Sequence, residues 1–585
     1  MCIKKYFSLS LCLFTVFVSL QASIPDAKNN TYRRSPASAA GSKDTLNIIQ
    51  SPLINIPAIA LPGDTVDIRI DLDTEENAEI LHILFNGYES EINFRETGEM
   101  FHGLRTLEAY LPDKLLYGLY DIRINCSGQE TPDISKQALY VIPAYQDTFT
   151  FIHVTDTHLP SHYYWGDEEV YTDSTELEDF RAVIDDINII NPEFVLHTGD
   201  LINDGELEAL GIPSISRSKK ILHELNVPLF IVPGNHDLGG WDAAPAPDGT
   251  ARRTWWKYFG WKYLDHTPSG TVKTQNYSFN YGTAHFTGLE SYINYDGWRY
   301  NIYGYKGFTD EQLDWLDRDL AASQNAELRV LFYHYDFEND LDLSALDVDA
   351  AFWGHIHYNS GSLSTKPCDI STGAVCDGRR WYRVVRVTDN AITDIRALQA
   401  GTYGELITKT VTADKKTVRL SNNSNMDLDR CLVHFPLEEG KRLVSLSNAD
   451  FFQLDSLSSP RIVYAHADLP ANSSVTASIE TEDIPQTGVS PVTKKIFPVT
   501  VYPNPFNPET CISFIAPENM TLANIRILDI YGRTVHTINK KALYPGKHEL
   551  IWNASGQPSG IYFINISGDI AGQDFSRIKK CVVMK

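Results

Sequence analysis

Residues 151–160 read FIHVTDTHLP, and they place two chemically active side chains directly after a strand-like apolar run. The run has the β-branched and aromatic composition of a strand, and Asp156 and His158 follow it one residue apart. Polar groups at the end of a buried strand need partners, because leaving them unpaired costs free energy. Asp156 and His158 are therefore candidate ligands, and companions are expected at the ends of neighbouring strands.

Four later apolar runs also end in residues of the ligand type. FVLHT is followed by Asp200, LFIVP by Asn235, His236 and Asp237, RVLFY by His334, and AAFW by His355 and His357. Between the runs, Leu177, Phe180, Val183, Ile184 and Ile187 share one helical face, and a capping box opens a second helix at Thr309. Strands that alternate with helices indicate an α/β sheet, whose ligand crevice lies at the carboxyl ends of the strands. The five clusters are predicted to meet there.

The chemistry of these side chains predicts a metal centre. Two carboxylates, one amide and four imidazoles, with no thiolate, suit divalent or trivalent Fe, Mn, Zn or Ni. Seven such groups exceed the needs of one ion and indicate a two-metal site bridged by a carboxylate. Glycine precedes Asp200, Asn235 and His355, where it permits a sharp turn and a close backbone approach.

The ordered set D-x-H, G-D, G-N-H-D, H and G-H-x-H resembles the calcineurin-like metallophosphoesterases over residues 148–400. The resemblance implies an α/β four-layer sandwich that hydrolyses phosphate esters by attack of a metal-bridging hydroxide. It implies a first metal held by Asp156, His158, Asp200 and His357, and a second held by Asp200, Asn235, His334 and His355. It also implies that His236 protonates the leaving oxygen or stabilises the transition state, with Asp237 orienting its imidazole.

The substrate class stays open between two subfamilies. Purple acid phosphatases carry a tyrosine three residues after the bridging aspartate, where this chain has Asn203. The stretch GDLINDGE resembles the cyclic-nucleotide phosphodiesterases and slightly favours phosphodiesters. A β-sandwich before the catalytic domain resembles the purple-phosphatase arrangement and favours phosphomonoesters. An aromatic insertion forms either a substrate rim or core packing, and it contains Trp241, Trp255, Trp256, Trp261, Trp298, Arg252, Arg253 and Arg299.

Bulk composition predicts a globular, multidomain and acidic protein. The chain has 585 residues, 43% hydrophobic and 21% charged, which suits about three to five domains. Its formal net charge of −25 argues against docking to nucleic acid, because a polyanion needs a basic face. A small phosphate ester held by metal ions remains compatible with that charge.

The N-terminus predicts export. Lys4 and Lys5 precede the apolar run FSLSLCLFTVFVSL and the small residues QAS, which is the pattern of a signal peptide over residues 1–22. No other run is long enough to cross a bilayer, so the mature protein is expected to have no transmembrane segment. In an oxidising compartment, Cys368 with Cys376 and Cys511 with Cys581 are possible disulfides, and buried free thiols are the alternative for Cys126 and Cys431.

The predicted organisation is a linker at 23–45, a β-sandwich at 46–145, the phosphoesterase domain at 146–400, a β-rich domain at 401–483, a linker at 484–500 and a β-sandwich at 501–585. Motifs of the last domain resemble the C-terminal sorting domain of type IX secretion. They are Tyr502-Pro503-Asn504-Pro505-Phe506, Asp529-Ile530-Tyr531-Gly532-Arg533, Ser559-Gly560-Ile561-Tyr562-Phe563 and the basic-apolar end. The resemblance implies delivery by the type IX machinery to the cell surface or the medium. A surface-binding protein with a vestigial phosphoesterase domain is the alternative from outside the enzymes.

Overall fold

The computed structural model describes residues 45–101, 103–159, 176–203, 205, 208–238, 250–260, 274–291, 307–337, 339–401, 406–484, 499–516, 520–530, 533–539, 542–543, 546–570 and 573–585. In parts of some helices and strands only the backbone is described. The chain divides into two compact units, with the division between Asp483 and Ile484. The predicted signal peptide and nearly all of the linker at 23–45 lie outside the described residues.

The first β-rich segment is an eight-stranded sheet that folds over on itself. Its strands are β1 (Ile49–Ser51), β2 (Ala58–Ala60), β3 (Thr65–Ile70), β4 (Ala78–Phe85), β5 (Tyr88–Phe101), β6 (Leu104–Tyr110), β7 (Gly118–Cys126) and β8 (Asp133–Val141), in the order β1-β3-β6-β5-β4-β7-β8-β2. The long strand β5 joins the two halves, because its first residues pair with β4 and its later ones with β6. Ile68 and Leu107 from one half and Ile83 and Ile122 from the other share one core.

Strands then alternate with helices. The elements are β9 (Phe149–Val154), α1 (Glu176–Ile190), β10 (Phe194–His197), α2 (Glu208–Leu222), β11 (Leu229–Ile231), α3 (Thr250–Phe259), β12 (Tyr277–Tyr281), β13 (Ala284–Leu289), α4 (Asp310–Ala322), β14 (Leu328–Tyr333), β15 (Ala350–Trp353), β16 (Cys368–Ser371), β17 (Trp381–Thr388) and β18 (Ala391–Gln399). They form two five-stranded mixed sheets, β11-β10-β9-β17-β18 and β12-β13-β14-β15-β16. Strands β9 to β11 are parallel in the first sheet, and β13 to β16 are parallel in the second.

Aromatic side chains from both sheets share one core. Phe151 stacks edge-on against Phe352 with ring centroids 5.5 Å apart, and Phe194 meets Phe286 at 5.0 Å. This packing fixes the two sheets relative to each other, so the carboxyl ends of their strands are held in place.

Both predicted helices are present, α1 with the expected buried face and α4 with the expected N-terminal capping box. The α1 face is confirmed: Phe180, Val183, Ile184 and Ile187 are buried, and Leu177 is partly buried against the same core. The capping box of α4 is also confirmed, because Thr309 Oγ1 accepts from the Gln312 N–H at 3.1 Å and Gln312 Oε1 accepts from the Thr309 N–H at 2.9 Å. Mixed sheets flanked by β-rich segments agree with the expected fold at this coarser level. The four-layer arrangement stays a prediction.

Residues 406–483 are a further β-rich segment that shares its core with the α/β sheets. The strands are β19 (Ile407–Val411), β20 (Thr417–Asn422), β21 (Leu428–Pro436), β22 (Lys441–Ser447), β23 (Asp450–Asp455), β24 (Ile462–Leu469) and β25 (Ser473–Asp483), in sheets β19-β20-β25-β22 and β21-β24-β23. Leu420 and Val433 belong to the same buried cluster as Ile184 and Ile187 of α1. These strands therefore stabilise the helix that covers β9 and β10.

The second unit has a core of its own, and the elements described in it are all β-strands. Its strands are β26 (Val499–Tyr502), β27 (Glu509–Ala516), β28 (Met520–Leu528), β29 (Thr534–Asn539), β30 (Ala542–Leu543), β31 (Gly546–Asn553), β32 (Gly560–Ile570) and β33 (Gln573–Val583). They form the sheets β26-β27-β31 and β29-β28-β32-β33, with β30 on β28. Phe506 and Trp552 are buried in this core.

Neither possible disulfide is formed, because all six cysteines from Cys126 to Cys581 are free thiols. Among the described residues, no helix is both long and apolar enough to cross a membrane.

The carboxylate of Asp319 ties α4 to β12 and β13, and its loss should be measurable. It accepts from Ser278 Oγ at 2.7 Å and Thr287 Oγ1 at 2.8 Å, and it lies 2.9 Å from His285 Nε2. Burial alone would raise the pKa of Asp319, but the hydrogen bonds from His285 and Ser278 outweigh it and lower the pKa. Asp319→Asn is expected to lower the free energy of unfolding by about 1–3 kcal/mol at neutral pH.

The pH dependence follows from the lowered pKa. The stabilisation is present above the ordinary aspartate pKa and is lost as the pH falls through the lower folded value, so the difference between the two proteins should shrink on acidification. Urea unfolding at neutral and acidic pH measures this, with Asp314→Asn, an exposed position on α4, as the control. A difference between wild type and Asp319→Asn that does not change with pH would contradict the assignment.

Candidate metal centre

The predicted ligands stand at strand ends of both sheets. Asp156 and His158 follow β9, Asp200 follows β10, Asn235 and His236 follow β11, His334 follows β14, and His355 and His357 follow β15. Because the strands of each sheet that carry them are parallel, their carboxyl ends open on the same edge. The site is thus assembled from five loops on a rigid, packed base.

Five of these ligand residues hold a left-handed backbone that side chains other than glycine rarely adopt. The φ angles are 52° at Asp156, 46° at His158, 52° at Asp200, 66° at His355 and 59° at His357. Such a backbone costs about 1–3 kcal/mol per residue and tends to cluster at functional sites. The surrounding packing imposes these turns, and they mark the site independently of the residue types.

The glycines before the ligands are required by close packing of the loops. A Cβ on Gly354 would overlap Thr155 and approach Asp156 Oδ2 to 2.6 Å, and a Cβ on Gly234 would overlap Asp200. Gly199 has a φ of 94° and lies against the backbone of Gly234. The loops after β9, β10, β11 and β15 pack so closely that only glycine fits between them.

Asp156 presents one free oxygen to two imidazoles. Its Oδ2 accepts from Thr155 Oγ1 at 2.8 Å and from the His355 N–H at 2.9 Å. Its Oδ1 is buried, makes no hydrogen bond to any described residue, and lies 3.3 Å from His357 Nε2 and 3.8 Å from His158 Nε2. These three atoms converge as the ligands of one cation would.

Asp200 faces members of both predicted ligand sets. Its Oδ1 accepts from the backbone N–H of His236 at 2.8 Å. Its Oδ2 lies 3.1 Å from His334 Nε2 and 3.7 Å from His158 Nε2. One carboxylate oxygen therefore lies between a histidine of each predicted set.

The second predicted set gathers around His334. His334 Nδ1 donates to the Thr198 carbonyl at 2.7 Å, which leaves the buried Nε2 directed at the site. Ligand atoms of Asp200, His334 and His355 lie within 4.8 Å of one another, and His355 Nδ1 is 3.1 Å from Asn235 Oδ1. All seven predicted metal ligands are therefore brought together.

The charges of the site favour cations. Burial alone would lower the pKa of His158, but the carboxylates of Asp156 and Asp200 outweigh it and raise the pKa to about 9. The same balance, set mainly by Asp200, raises the pKa of His334 to about 9. Burial, together with the charge of His334, lowers the pKa of His355 to about 4. Because the two carboxylates raise the pKa of the His158 and His334 imidazoles, protons and metal ions should compete for the same ring nitrogens.

The hydrogen bonds of Asp237 go to the backbone and not to His236, which it is predicted to orient. Its buried carboxylate accepts backbone N–H groups of Gly234 at 2.8 Å, Ile202 at 2.9 Å and Leu201 at 3.2 Å, so it joins the loops after β10 and β11. Burial and the charge of Asp200 raise its pKa to about 7. With both oxygens engaged by the backbone, Asp237 does not orient the imidazole of His236.

Asn203 takes that place. His236 Nδ1 donates to the Asn203 carbonyl at 2.7 Å, which leaves Nε2 as the nitrogen available to a substrate. The Asn203 side-chain oxygen accepts from His158 Nδ1 at 3.1 Å, so the same residue orients a predicted metal ligand. The sequence indicated Asn203 only as the residue that stands where purple acid phosphatases carry a tyrosine, and it did not predict these two contacts.

Cys376, which the sequence offers as a possible disulfide partner of Cys368, lies beside the site. A ring nitrogen of His158, one of His357 and the sulfur of Cys376 lie within 4.8 Å of one another. Cys376 is 3% exposed. The loop after β16 thus returns the chain to the end of β9 and places a thiol beside two of the predicted ligands.

The aromatic insertion is described only in part. Trp255 and Trp256 are buried in the core, which is packing and not a substrate rim. Trp241, Trp261, Trp298 and Arg299 lie outside the described residues, as do the side chains of Arg252 and Arg253.

Two segments of the chain match known protein families. Residues 149–359, which include all seven predicted ligands, match the calcineurin-like phosphoesterase family. This segment is a calcineurin-like phosphoesterase domain. Residues 500–584 match the secretion system C-terminal sorting domain, which confirms the second resemblance. The phosphoesterase domain is thus part of a protein whose tail implies type IX secretion and a surface location.

Individual relatives of the phosphoesterase domain are distant. An uncharacterised protein of Bacillus subtilis, YvnB, is 25% identical over 194 residues, 33% of this chain and 13% of that protein. The DNA double-strand break repair protein Mre11 of Methanocaldococcus jannaschii is 34% identical over 88 residues, 15% of this chain and 23% of that protein. The chain spans less than a quarter of either relative.

Among solved structures, the purple acid phosphatase PPD1 of yellow lupin aligns with 61% of this chain and 69% of its own. Its identity is 14% and its TM-score is 0.31.

Proposed function

We propose that this protein is an exported phosphoesterase that uses a dinuclear metal centre and hydrolyses small phosphate esters, phosphodiesters in preference to monoesters. The observation that carries the proposal is the position of Asp200, whose Oδ2 lies near His334 of one ligand set and His158 of the other. Membership of the phosphoesterase family supports hydrolysis, and the two mixed sheets are compatible with the four-layer fold that the proposal assumes.

The donor set fits a pair of divalent or trivalent ions such as Mn, Zn, Fe or Ni. Asp156, His158, Asp200 and His357 would hold the first, and Asp200, Asn235, His334 and His355 the second. When bound, the ions supply Lewis acidity to the phosphate oxygens and lower the pKa of the attacking water. Asp156 Oδ1 and His334 Nε2 support this fit, because both are buried, make no hydrogen bond among the described residues and face only other members of the ligand set.

The chain itself holds these groups and delivers a proton. Thr155 and the His355 N–H fix Asp156, Thr198 fixes His334, and Asn203 fixes His158. Asp156, Asp200 and His334 are buried, whereas His236 and His357 are partly exposed and face an incoming ester. His236 is placed to protonate the leaving oxygen through Nε2, since its Nδ1 is held by Asn203.

The preference for diesters rests on Asn203. Its side-chain oxygen is occupied by His158, and an amide supplies no anionic ligand of the tyrosinate type. The runner-up is a phosphomonoesterase of purple-phosphatase-like architecture, favoured by the preceding β-sandwich. The non-enzyme alternative is a surface-binding protein, which the complete ligand set disfavours.

Hydrolysis of a substrate panel tests the proposal. Phosphomonoesters, phosphodiesters and cyclic nucleotides are offered to the metal-reconstituted full-length protein, and an Asp200→Asn preparation run in parallel reports contaminating activity. We expect kcat/KM to be highest for a diester. A value at least about tenfold higher for monoesters would reverse the substrate assignment. No hydrolysis by a protein that holds two metals would favour the binding-protein alternative.

Deletion of residues 496–585 is expected to leave catalysis intact and to stop passage across the outer membrane. The tail has its own core, and its sorting-domain match contains none of the predicted site residues. Fractionation of producing cells, with activity assays on each fraction, measures the outcome. As the matched control, the tail fused to an inert exported passenger should carry that passenger to the surface. Normal surface delivery of the truncated protein would contradict the sorting role.

A further inference from the structure

The thiol of Cys376 lies inside the first predicted ligand set. Its sulfur and one ring nitrogen each of His158 and His357 lie within 4.8 Å of one another. Neither the sequence motif nor the family match contains this residue, since the match ends at residue 359. The position is therefore a feature of this chain that the shared motif does not explain.

Backbone hydrogen bonds hold the thiol there. The N–H of Val375 donates to the Thr155 carbonyl at 3.2 Å, and that of Cys376 donates to the Asp156 carbonyl at 3.1 Å. Further along the loop, Gly378 N–H and Arg380 Nε both donate to Asp179 of α1 at 2.7 Å. The loop is thus tied to the end of β9 and to α1, so the sulfur has a defined place.

A second observation points to a ligand at the same place. Asp156 Oδ1 is fully buried and makes no hydrogen bond to any described residue, although it lies 3.3 Å from His357 Nε2 and 3.8 Å from His158 Nε2. The same two imidazoles therefore lie near a carboxylate oxygen in one contact set and near a thiol in the other. Carboxylate, imidazole and thiolate are the ligand types from which four-coordinate zinc sites are built.

Other buried cysteines of the chain have different surroundings. The sulfur of Cys368 lies 3.3 Å from the Thr365 carbonyl, and that of Cys431 lies 4.0 Å from the Leu428 carbonyl. Both belong to apolar clusters, where a free thiol acts as a small hydrophobic group. Among the described residues, the hydrogen-bond contact of the Cys376 sulfur is a long one of 3.7 Å to Asp377 Oδ2, which a stronger bond to a cation would replace.

We propose that Cys376 is a ligand of the first metal and that it selects a thiophilic ion, zinc or iron, over manganese at that position. The inference rests on the proposed function, because it assumes the dinuclear centre. As the sulfur–metal bond forms, the thiol proton passes to the solvent, and no oxidation state changes. Soft thiolate ligands favour zinc and iron, whereas oxygen ligands suit manganese, so one sulfur shifts the selectivity of the site.

X-ray absorption of the zinc-loaded full-length protein tests the proposal directly. Wild type should show a zinc–sulfur component at about 2.3 Å. Cys376→Ser should lose it and bind zinc less tightly relative to manganese, by about tenfold or more in a competition titration. Cys368→Ser, which alters an equally buried thiol outside the site, should behave as wild type. None of these readouts depends on turnover.

The outcomes separate the inference from the function. Two zinc ions per chain without a sulfur component in wild type, or with a component that persists in Cys376→Ser, would overturn the role of Cys376 and leave the dinuclear centre standing. A wild type that binds no zinc, manganese or iron would overturn both. If Cys376→Ser fails to fold, the wild-type spectrum compared with that of Cys368→Ser still decides.

Discussion

Asp200→Asn is expected to lower kcat/KM by at least about 10³-fold and to release metal from the protein. The substitution keeps the size of the side chain but removes the negative charge that lies 3.1 Å from His334 Nε2 and 3.7 Å from His158 Nε2. A bridging carboxylate stabilises both cations, so its loss should affect both ligand sets at once. Elemental analysis and steady-state kinetics on the same preparation measure the two effects.

The metal-free variant offers a second readout of the same residue. In wild type the charge of Asp200 helps raise the pKa of His158 and that of His334 to about 9, against the opposite effect of burial. Without that charge, burial gains weight and both pKa values should fall, which an NMR titration of the histidine side chains follows. The highest pH at which these two imidazoles are still protonated should therefore be lower in the variant than in wild type.

Asp186→Asn is the matched control for Asp200→Asn. Asp186 is also a buried carboxylate, and it accepts from Tyr382 Oη at 2.9 Å, outside the metal centre. This variant should keep its metals and its kcat/KM. Full metal content and rate in Asp200→Asn would refute the bridge, whereas equal losses in both variants would indicate a general loss of structure.

The residues of the candidate site could be predicted from the sequence where short local motifs contain them. Asp156, His158 and Asp200 each follow a strand within a few residues, and the strand ends of a parallel sheet meet by topology. Such a prediction needs only the order of strands and the ligand chemistry. It does not need side-chain directions, and the seven predicted residues do lie together, although their role as metal ligands stays a prediction.

The features that the sequence did not predict depend on tertiary contacts, which local sequence patterns do not determine. Cys376 follows β16, far from the ligand motifs, and reaches the site because its N–H binds the carbonyl of Asp156. Asp237 stands beside His236 in the sequence, yet its carboxylate turns to three backbone N–H groups. The residues adjacent in sequence do not determine which hydrogen-bond donors a side chain binds. At this site, those hydrogen bonds determine which residue orients which imidazole.

The fold shows the same division. The period of α1 and the capping box of α4 are local patterns, and both appear as predicted. The shared core of α1 with β20 and β21 is not local, because Val433 and Ile184 meet across about 250 residues of chain. Hydrophobic alternation predicts that a strand has a buried face but does not say which element covers it.

His236→Ala is expected to keep both metals and to lower kcat by about 10²–10⁴-fold for esters with alkyl leaving groups. The imidazole is held by Asn203 through Nδ1 at 2.7 Å, and its backbone N–H binds Asp200 Oδ1 at 2.8 Å, a contact that alanine retains. Esters of nitrophenol, whose leaving oxygen needs no proton, should be hydrolysed nearly as fast by the variant as by wild type.

The pH dependence of kcat tests whether His236 acts as a general acid. Burial lowers the pKa of His236, and the charge of Asp200 offsets only part of that effect. The ring is protonated below this lowered pKa, so the contribution of a general acid falls as the pH rises through it. Wild type should lose rate on that alkaline limb with alkyl esters, and His236→Ala should lack the limb. His434→Ala, which alters an exposed histidine on β21, serves as the control and should match wild type. Loss of metal from His236→Ala as severe as that from Asp200→Asn would identify His236 as a ligand and reject its role as an acid.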